Sequence, residues 1–217
     1  MKRLLLILMA AGAALYSPAL RADNYPSKPI TLVNVFGPGS TSDTICRVIA
    51  QPLSVALKQS IIVEDRTGAS GALAALYVAR SAPDGYTLLM ATNSPLSAVP
   101  FLMKNVSYDP VKDFTAVTRL HRSSLFPELP TLDEAGITGF DMDSWAGIVA
   151  PANTPPAIVT QLNRELRKII DDPDIKSKLG NVGFEAFSSS PKELEDFVKV
   201  QLGKWGKMVK DAGIQPE

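Results

Sequence analysis

Residues 30–43 read ITLVNVFGPGSTSD, and the order of those side chains sets the fold class. Residues 30–36 form a short apolar run rich in β-branched side chains, the mark of a buried strand. The Gly37-Pro38-Gly39-Ser40 stretch then breaks it as a turn. Beyond the turn, Ile45, Val48, Ile49 and Leu53 recur at spacings of three and four, which predicts a helix. Ser40 or Ser42 can cap its start. Ser40 with Asp43 three residues on resembles a capping box with Asp in place of Glu. Pro52 falls inside the helical pattern and is expected to kink the helix or end its first part.

The same unit recurs outward from this stretch. Residues 61–64 (IIVE) read as a second strand, 66–71 as a second glycine-containing loop and 72–80 as an alanine-rich helix of high intrinsic propensity. A Pro83-Asp84-Gly85 turn leads into a third strand over 86–91. Strands alternating with helices predict an α/β fold, a parallel-rich sheet flanked by helices. Residues 114–120 read as an extended piece, Leu132 to Ala135 as one helical turn, and 145–149 as a further strand. Ile158, Leu162, Leu166, Ile169 and Ile170 make a strong helical stripe that starts at Pro155-Pro156. Asp172-Pro173 stops that helix, and 175–179 form a short one. The last long helix starts at Ser190-Pro191 and ends at Gly213.

Composition excludes several function classes. The 217 residues carry 22 basic and 22 acidic side chains, so no general electrostatic attraction to nucleic acid is expected. One cysteine, Cys46, cannot form an internal disulfide, and its apolar neighbours predict a buried side chain. One histidine, His121, in a distant segment leaves no metal-ligand cluster with it. No G-x-S-x-G, G-x-x-x-x-G-K-[ST] or G-x-G-x-x-G sequence is present. A serine-dependent hydrolase would have to take its base from His121, Asp43 or a lysine. At the N-terminus Lys2 and Arg3 precede an apolar run too short to span a bilayer, and Ala22 suits a cleavage site. Residues 1–22 therefore read as a secretory signal peptide, which predicts a periplasmic protein.

The loop over residues 37–43 is the candidate binding element. A helix start presents free N–H groups and partial positive charge, which attract carboxylates. The hydroxyls of Ser40, Thr41 and Ser42 add donors. The loops after the first three strands share the carboxyl edge of a parallel sheet, where ligands of such sheets bind. That makes Phe36, Gly37, Gly39, Ser40, Thr41, Ser42, Asp43, Thr92, Asn93 and Ser94 the candidate ligand-binding residues. Good turn and cap chemistry explains the same loop without a ligand. Asp43 is then a capping residue, Arg66 a solvated charge, and Trp145 and Trp205 core side chains.

Several blocks, in order, resemble the receptors of tripartite tricarboxylate transporters (the Bug or TctC family). They are Tyr25-Pro26 through Gly39 to Asp43; residues 63–71 (VEDRTGASG); 82–89 (APDGYTLL); 108–114 (YDPVKDF); 129–136 (LPTLDEAG); 150–156 (APANTPP); and Trp205-Gly206-Lys207. The resemblance implies a type II periplasmic-binding-protein fold of two lobes, no catalysis, no cofactor and no metal. It also implies a small carboxylate ligand, a di- or tricarboxylate or similar organic acid, and membrane permease subunits as partners. This chain is shorter than that family's usual length, and the shortfall falls where Leu120 abuts His121-Arg122. Residues 23–120 are expected to supply the first half of lobe one with the hinge crossing. Residues 121–217 are expected to supply its second half and the C-terminal helices. Most of the second lobe is missing, so impaired binding is expected. A sensor's binding partner and a non-functional relic are the alternatives. The family's first loop reads Pro-Gly-Gly where this chain has Ser40, whose Cβ is expected to strain a position of positive φ.

Overall fold

A computed structural model describes residues 25–122 and 144–217. The signal peptide expected at residues 1–22, the helical turn at 132–135 and the 129–136 block lie outside the described residues. Residues 30–36 form strand β1 (Ile30–Asn34) and the turn after it. Next come helix α1 (Thr41–Leu57), β2 (Ile61–Asp65), α2 (Ala72–Ala79), β3 (Thr87–Thr92), the short α3 (Val99–Leu102) and β4 (Phe114–Arg122). Then follow β5 (Trp145–Pro151), α4 (Pro156–Asp171), α5 (Pro173–Gly180), a two-residue β6 (Glu185–Ala186) and α6 (Pro191–Asp211).

The strands make one sheet in the order β2-β1-β3-β5-β4-β6. β1 pairs in parallel with β2 and β3, as the strand–helix alternation predicts. Beyond β3 the direction reverses. β5 runs antiparallel to β3 and β4, and β6 antiparallel to β4. The sheet is therefore mixed, with a parallel part over β2, β1 and β3 and an antiparallel part over β5, β4 and β6. β4 carries register shifts between Ala116 and Thr118 and between Arg119 and His121.

Alternation along each strand divides the core into two layers. On one face, Leu32, Leu88, Met90, Ala146 and Ile148 pack against Ile45, Ile49 and Leu53 of α1 and Ile158, Leu162 and Leu166 of α4. On the other, Val33, Leu89, Ala91, Trp145 and Val149 pack against Ala74, Ala75 and Val78 of α2 and Leu194 and Val198 of α6. Cys46 lies in the first layer, where burial pushes its thiol pKa well up and leaves it an inert hydrophobe.

At Pro52 the choice between a kink and an end narrows: α1 runs through Pro52 to Leu57 without ending. Proline removes one N–H from the ladder, but buried Ile49, Leu53 and Leu57 on either side of Pro52 keep the helix on the sheet. Ser40, expected to be strained, is not. Its φ is −65°, and the left-handed residue is Gly39 at φ 76°. The turn puts its unusual backbone conformation one residue earlier, where no Cβ exists to clash.

Candidate functional site

A cleft of about 330 Å³ opens at the edge of the sheet where β1 and β3 end and β5 begins. Its position follows from strand direction. Thr92 at the end of β3 pairs with Ala146 at the start of β5, and Ala146 pairs in turn with His121 near the end of β4. Four strands thus bring chain ends to one rim.

Phe36, Ser40, Thr41, Ser42, Thr92 and Asn93, all expected from the sequence, line this cleft. So do Ile45, His121, Ser144, Trp145, Ala146 and Phe184. Gly37, Gly39, Asp43 and Ser94 do not line it; they shape the loops behind it. The Gly37 carbonyl accepts the Ser40 N–H at 3.1 Å. The Gly39 N–H donates to Asp43 Oδ2 at 2.8 Å. Ser94 Oγ donates to the Ser70 carbonyl at 2.7 Å, tying two loops together.

Asp43 is a clamp on the turn. It is buried, and Arg47 Nε lies 2.8 Å from its Oδ1. The hydrogen bond from Arg47, then that from the Gly39 amide, hold the Asp43 carboxyl below the usual carboxylate range against the opposing effect of burial. The cap departs from a capping box. Ser40 Oγ accepts from the Asp43 N–H at 3.2 Å, but the carboxylate reaches back to Gly39 rather than to Ser40. The β1 end of the loop is fixed by Asn34, whose Nδ2 donates to the Phe36 carbonyl and to Asp65 Oδ1, both at 2.8 Å.

This anchoring leaves a preorganised set of donors. In the first turn of α1 the Thr44 N–H is taken by the Ser40 carbonyl and the Asp43 N–H by the Ser40 hydroxyl. The Thr41 and Ser42 N–H groups precede the helical ladder and point out of the helix start. Ser40 and Ser42 hydroxyls lie 3.2 Å apart. The Thr92 hydroxyl oxygen is buried at the rim with no partner among the described residues, as is the Trp145 indole nitrogen. Phe36, Ile45, Trp145 and Phe184 add apolar surface to the lining, with His121 and Ser144 beside them. His121 packs against Phe184 with ring centroids 4.1 Å apart. Chemically, this arrangement can hold an anion through amides and hydroxyls. Among the described residues no group of three or more His, Cys, Asp or Glu side chains could hold a metal ion.

His121, Trp145 and Phe184 escape a reading based on periodicity. Trp145 sits in an apolar run that reads as core, and it is core, at 1% exposed with a T-shaped contact to Phe197. Only the antiparallel direction of β5 places its first residue beside the end of β3. Strand polarity is not written in a run of five apolar residues.

The comparisons with known proteins agree with this architecture. A model of the tripartite tricarboxylate transporter family receptors (TctC) matches residues 45–125 and again residues 115–214, the two matches meeting on β4. A UPF0065 protein of Bordetella bronchiseptica is 26% identical over 314 aligned positions, which cover 97% of this chain and 93% of the relative. An alignment that long against 217 residues leaves many positions of the relative facing no residue here, and since both sequences are covered nearly end to end, those positions lie within the alignment. The structure of the periplasmic binding protein BugD has a TM-score of 0.81 at 21% identity, covering 89% of this chain and 100% of BugD. An R. palustris protein solved with adipate has the same TM-score at 23% identity, with coverages of 89% and 100%. With its sheet, its cleft and two matches to one family model, this chain belongs to the receptors of tripartite tricarboxylate transporters, solute-binding proteins rather than enzymes.

Proposed function

We propose that this receptor works in the periplasm, binds a small organic acid in the cleft at the start of α1, and serves the permease of a tripartite tricarboxylate transporter. The observation that supports it most is the turn over residues 37–43. Its charged group, Asp43, is tied down behind the loop, while the Thr41 and Ser42 amides stand at the helix start and the hydroxyls of Ser40 and Ser42, hydrogen-bonded to each other, line the cleft. A carboxylate is the ligand such donors suit, since amides at a helix start carry partial positive charge and need no counter-ion of their own. The structural relative solved with adipate supports that class. No helix among the described residues is long and apolar enough to cross a membrane.

On this reading most of the second lobe is missing from the chain, which makes binding weak. A one-sided cleft leaves the bound anion in water, where each hydrogen bond contributes little net free energy. Burying most of a ligand needs walls on both sides. Ligand-observed NMR titration with adipate and malate is expected to give a dissociation constant of about 1 mM or weaker, near −4 kcal/mol. Micromolar affinity would overturn the impairment. Failure of every organic acid tried to bind the folded chain would overturn the receptor reading itself.

A further inference from the structure

Arg47 lies outside the cleft, yet it connects the two anchors of the loop that lines it. We infer that Arg47 is a positioning residue for ligand binding: its guanidinium bridges Asp65 at the end of β2 to Asp43 in the first turn of α1, and so holds Phe36 and the donors of Ser40, Thr41 and Ser42 in place. This inference rests on the receptor reading above.

The loop is tied at each side by separate bonds. On the strand side, Asn34 Nδ2 donates to the Phe36 carbonyl and to Asp65 Oδ1, both at 2.8 Å. On the helix side, the Gly39 N–H donates to Asp43 Oδ2 at 2.8 Å. Arg47 closes the circuit. Its Nε lies 2.8 Å from Asp43 Oδ1, and a terminal guanidinium nitrogen lies 3.5 Å from Asp65 Oδ2. The connection thus runs from the Phe36 carbonyl through Asn34, Asp65, Arg47 and Asp43 to the Gly39 amide. Phe36, Ser40, Thr41 and Ser42 line the cleft, whereas Asn34, Asp65, Arg47 and Asp43 do not. The four therefore act on a ligand only through the loop they hold.

Charge is what the bridge supplies. The Asp43 and Asp65 side chains are 5% and 14% exposed, and one guanidinium reaches both. Without it, two like charges would face each other in a partly dry space, and their repulsion would push the first turn of α1 away from the end of β2. The planar fork offers a separate nitrogen to each carboxylate, which the single ammonium of a lysine does not. Arg47 itself is 57% exposed, so the bridge adds little to global stability. Its effect falls on the order of the loop. A loop already ordered binds a ligand without the entropy cost of fixing it at that moment.

The test is titration with adipate and malate by ligand-observed NMR, with a thermal melt of each chain, on wild type, Arg47→Met, Arg47→Lys and the double variant Arg47→Met/Asp65→Asn. Arg47→Met is expected to weaken binding about fivefold or more, the cost of re-ordering one backbone residue on binding. Its melting temperature should move by only a few degrees. Arg47→Lys is expected to fall between that variant and wild type, since it keeps the charge and loses the fork. Asp65→Asn keeps an acceptor for Asn34 and removes one of the two facing charges, so the double variant should recover part of the loss. Lys207→Met, which removes an ion pair with Asp211 on α6, is expected to leave binding unchanged. Wild-type affinity in Arg47→Met or Arg47→Lys would overturn the inference and leave the receptor reading standing. So would a double variant that binds no better than Arg47→Met, since the side chain would then be filling space and not bridging charges. Should Arg47→Met not fold, Arg47→Lys decides alone. If the folded wild-type chain binds neither acid, both readings fall together.

Discussion

The two halves of the sheet are built by different rules. β2, β1 and β3 form a parallel half whose strands are linked by α1 and α2, each element packing on its neighbour in sequence. β5, β4 and β6 form an antiparallel half whose partners come from distant parts of the chain, with residues 123–143 between β4 and β5 and two helices before β6. The parallel half is held mainly by apolar layers. The antiparallel half adds a buried polar tie. Thr118 Oγ1 donates to the Ser189 carbonyl at 2.8 Å, the Arg119 N–H donates to Ser189 Oγ at 3.0 Å, and Asn163 Nδ2 donates to the Val117 and Ser189 carbonyls at 2.8 Å each. Local alternation was enough to specify the first half. The second needed side chains placed to meet partners some 70 residues away in sequence, as Thr118 and Ser189 are.

The sharpest way to break this comparison is to ask whether the halves melt together. Trp145→Ala empties a fully buried site on β5 and is expected to cost about 3–5 kcal/mol in urea unfolding. Leu32→Ala, buried on β1, is expected to cost about 2–5 kcal/mol. Both should shift one and the same transition, because the two core layers run through both halves. Two separate transitions, each moved by only one variant, would show the halves to be independent units.

A smaller effect tests the β4–β5 junction. A Cβ on Gly147 would meet the Thr118 carbonyl oxygen at 2.8 Å, a backbone atom that cannot swing aside. Gly147→Ala is expected to destabilise by about 1–3 kcal/mol, as overpacking does. Unchanged stability would mean that the β4 irregularity at this point relaxes freely.

Smaller again are the caps. Ser190 and Glu193 form a full capping box at the start of α6, whereas Ser40 at α1 has only the forward half. Ser190→Ala and Ser40→Ala are each expected to cost about 1 kcal/mol. Only the second should weaken ligand binding, which thermal shifts with and without adipate can separate.

The smallest effect is electrostatic. Arg47 holds the Asp43 carboxyl below its ordinary value. A depressed folded-state pKa stabilises above the unfolded value, about 3.9. That contribution is lost as pH falls through the lower folded value. The stability advantage of the wild-type chain over Asp43→Asn should therefore be constant near neutral pH and shrink on strong acidification. An advantage that persists undiminished in acid would assign Asp43's role to its hydrogen bonds alone.

Much of the first half of the molecule was legible in the sequence. The apolar run from Ile30, the turn at Gly37 and the stripe through Ile45, Ile49 and Leu53 read as strand, loop and helix. Those elements stand at those places. Helix starts at Ser40 and Ser190 were readable because a hydroxyl cap acts within three residues of itself. Of the two outcomes expected at Pro52, the helix does not end there, and a local rule about proline takes no account of the buried face on both sides of it. The short β6 was missed, because two residues carry no periodicity. On the cleft, the loop residues after β1 and β3 could be named from the sequence. The cleft's other lining residues could not.

The amino-acid sequence by itself determined where strands and helices alternate, which residues turn the chain at the carboxyl ends of β1 and β3, and the family to which the chain is similar. All of these depend on neighbours a few residues apart or on blocks read in order. Tertiary structure alone decided the reversal of direction beyond β3, and with it the meeting of His121, Trp145 and Phe184 at the cleft. Strand polarity is fixed by which distant edge a strand finds, and side-chain period is the same in either direction.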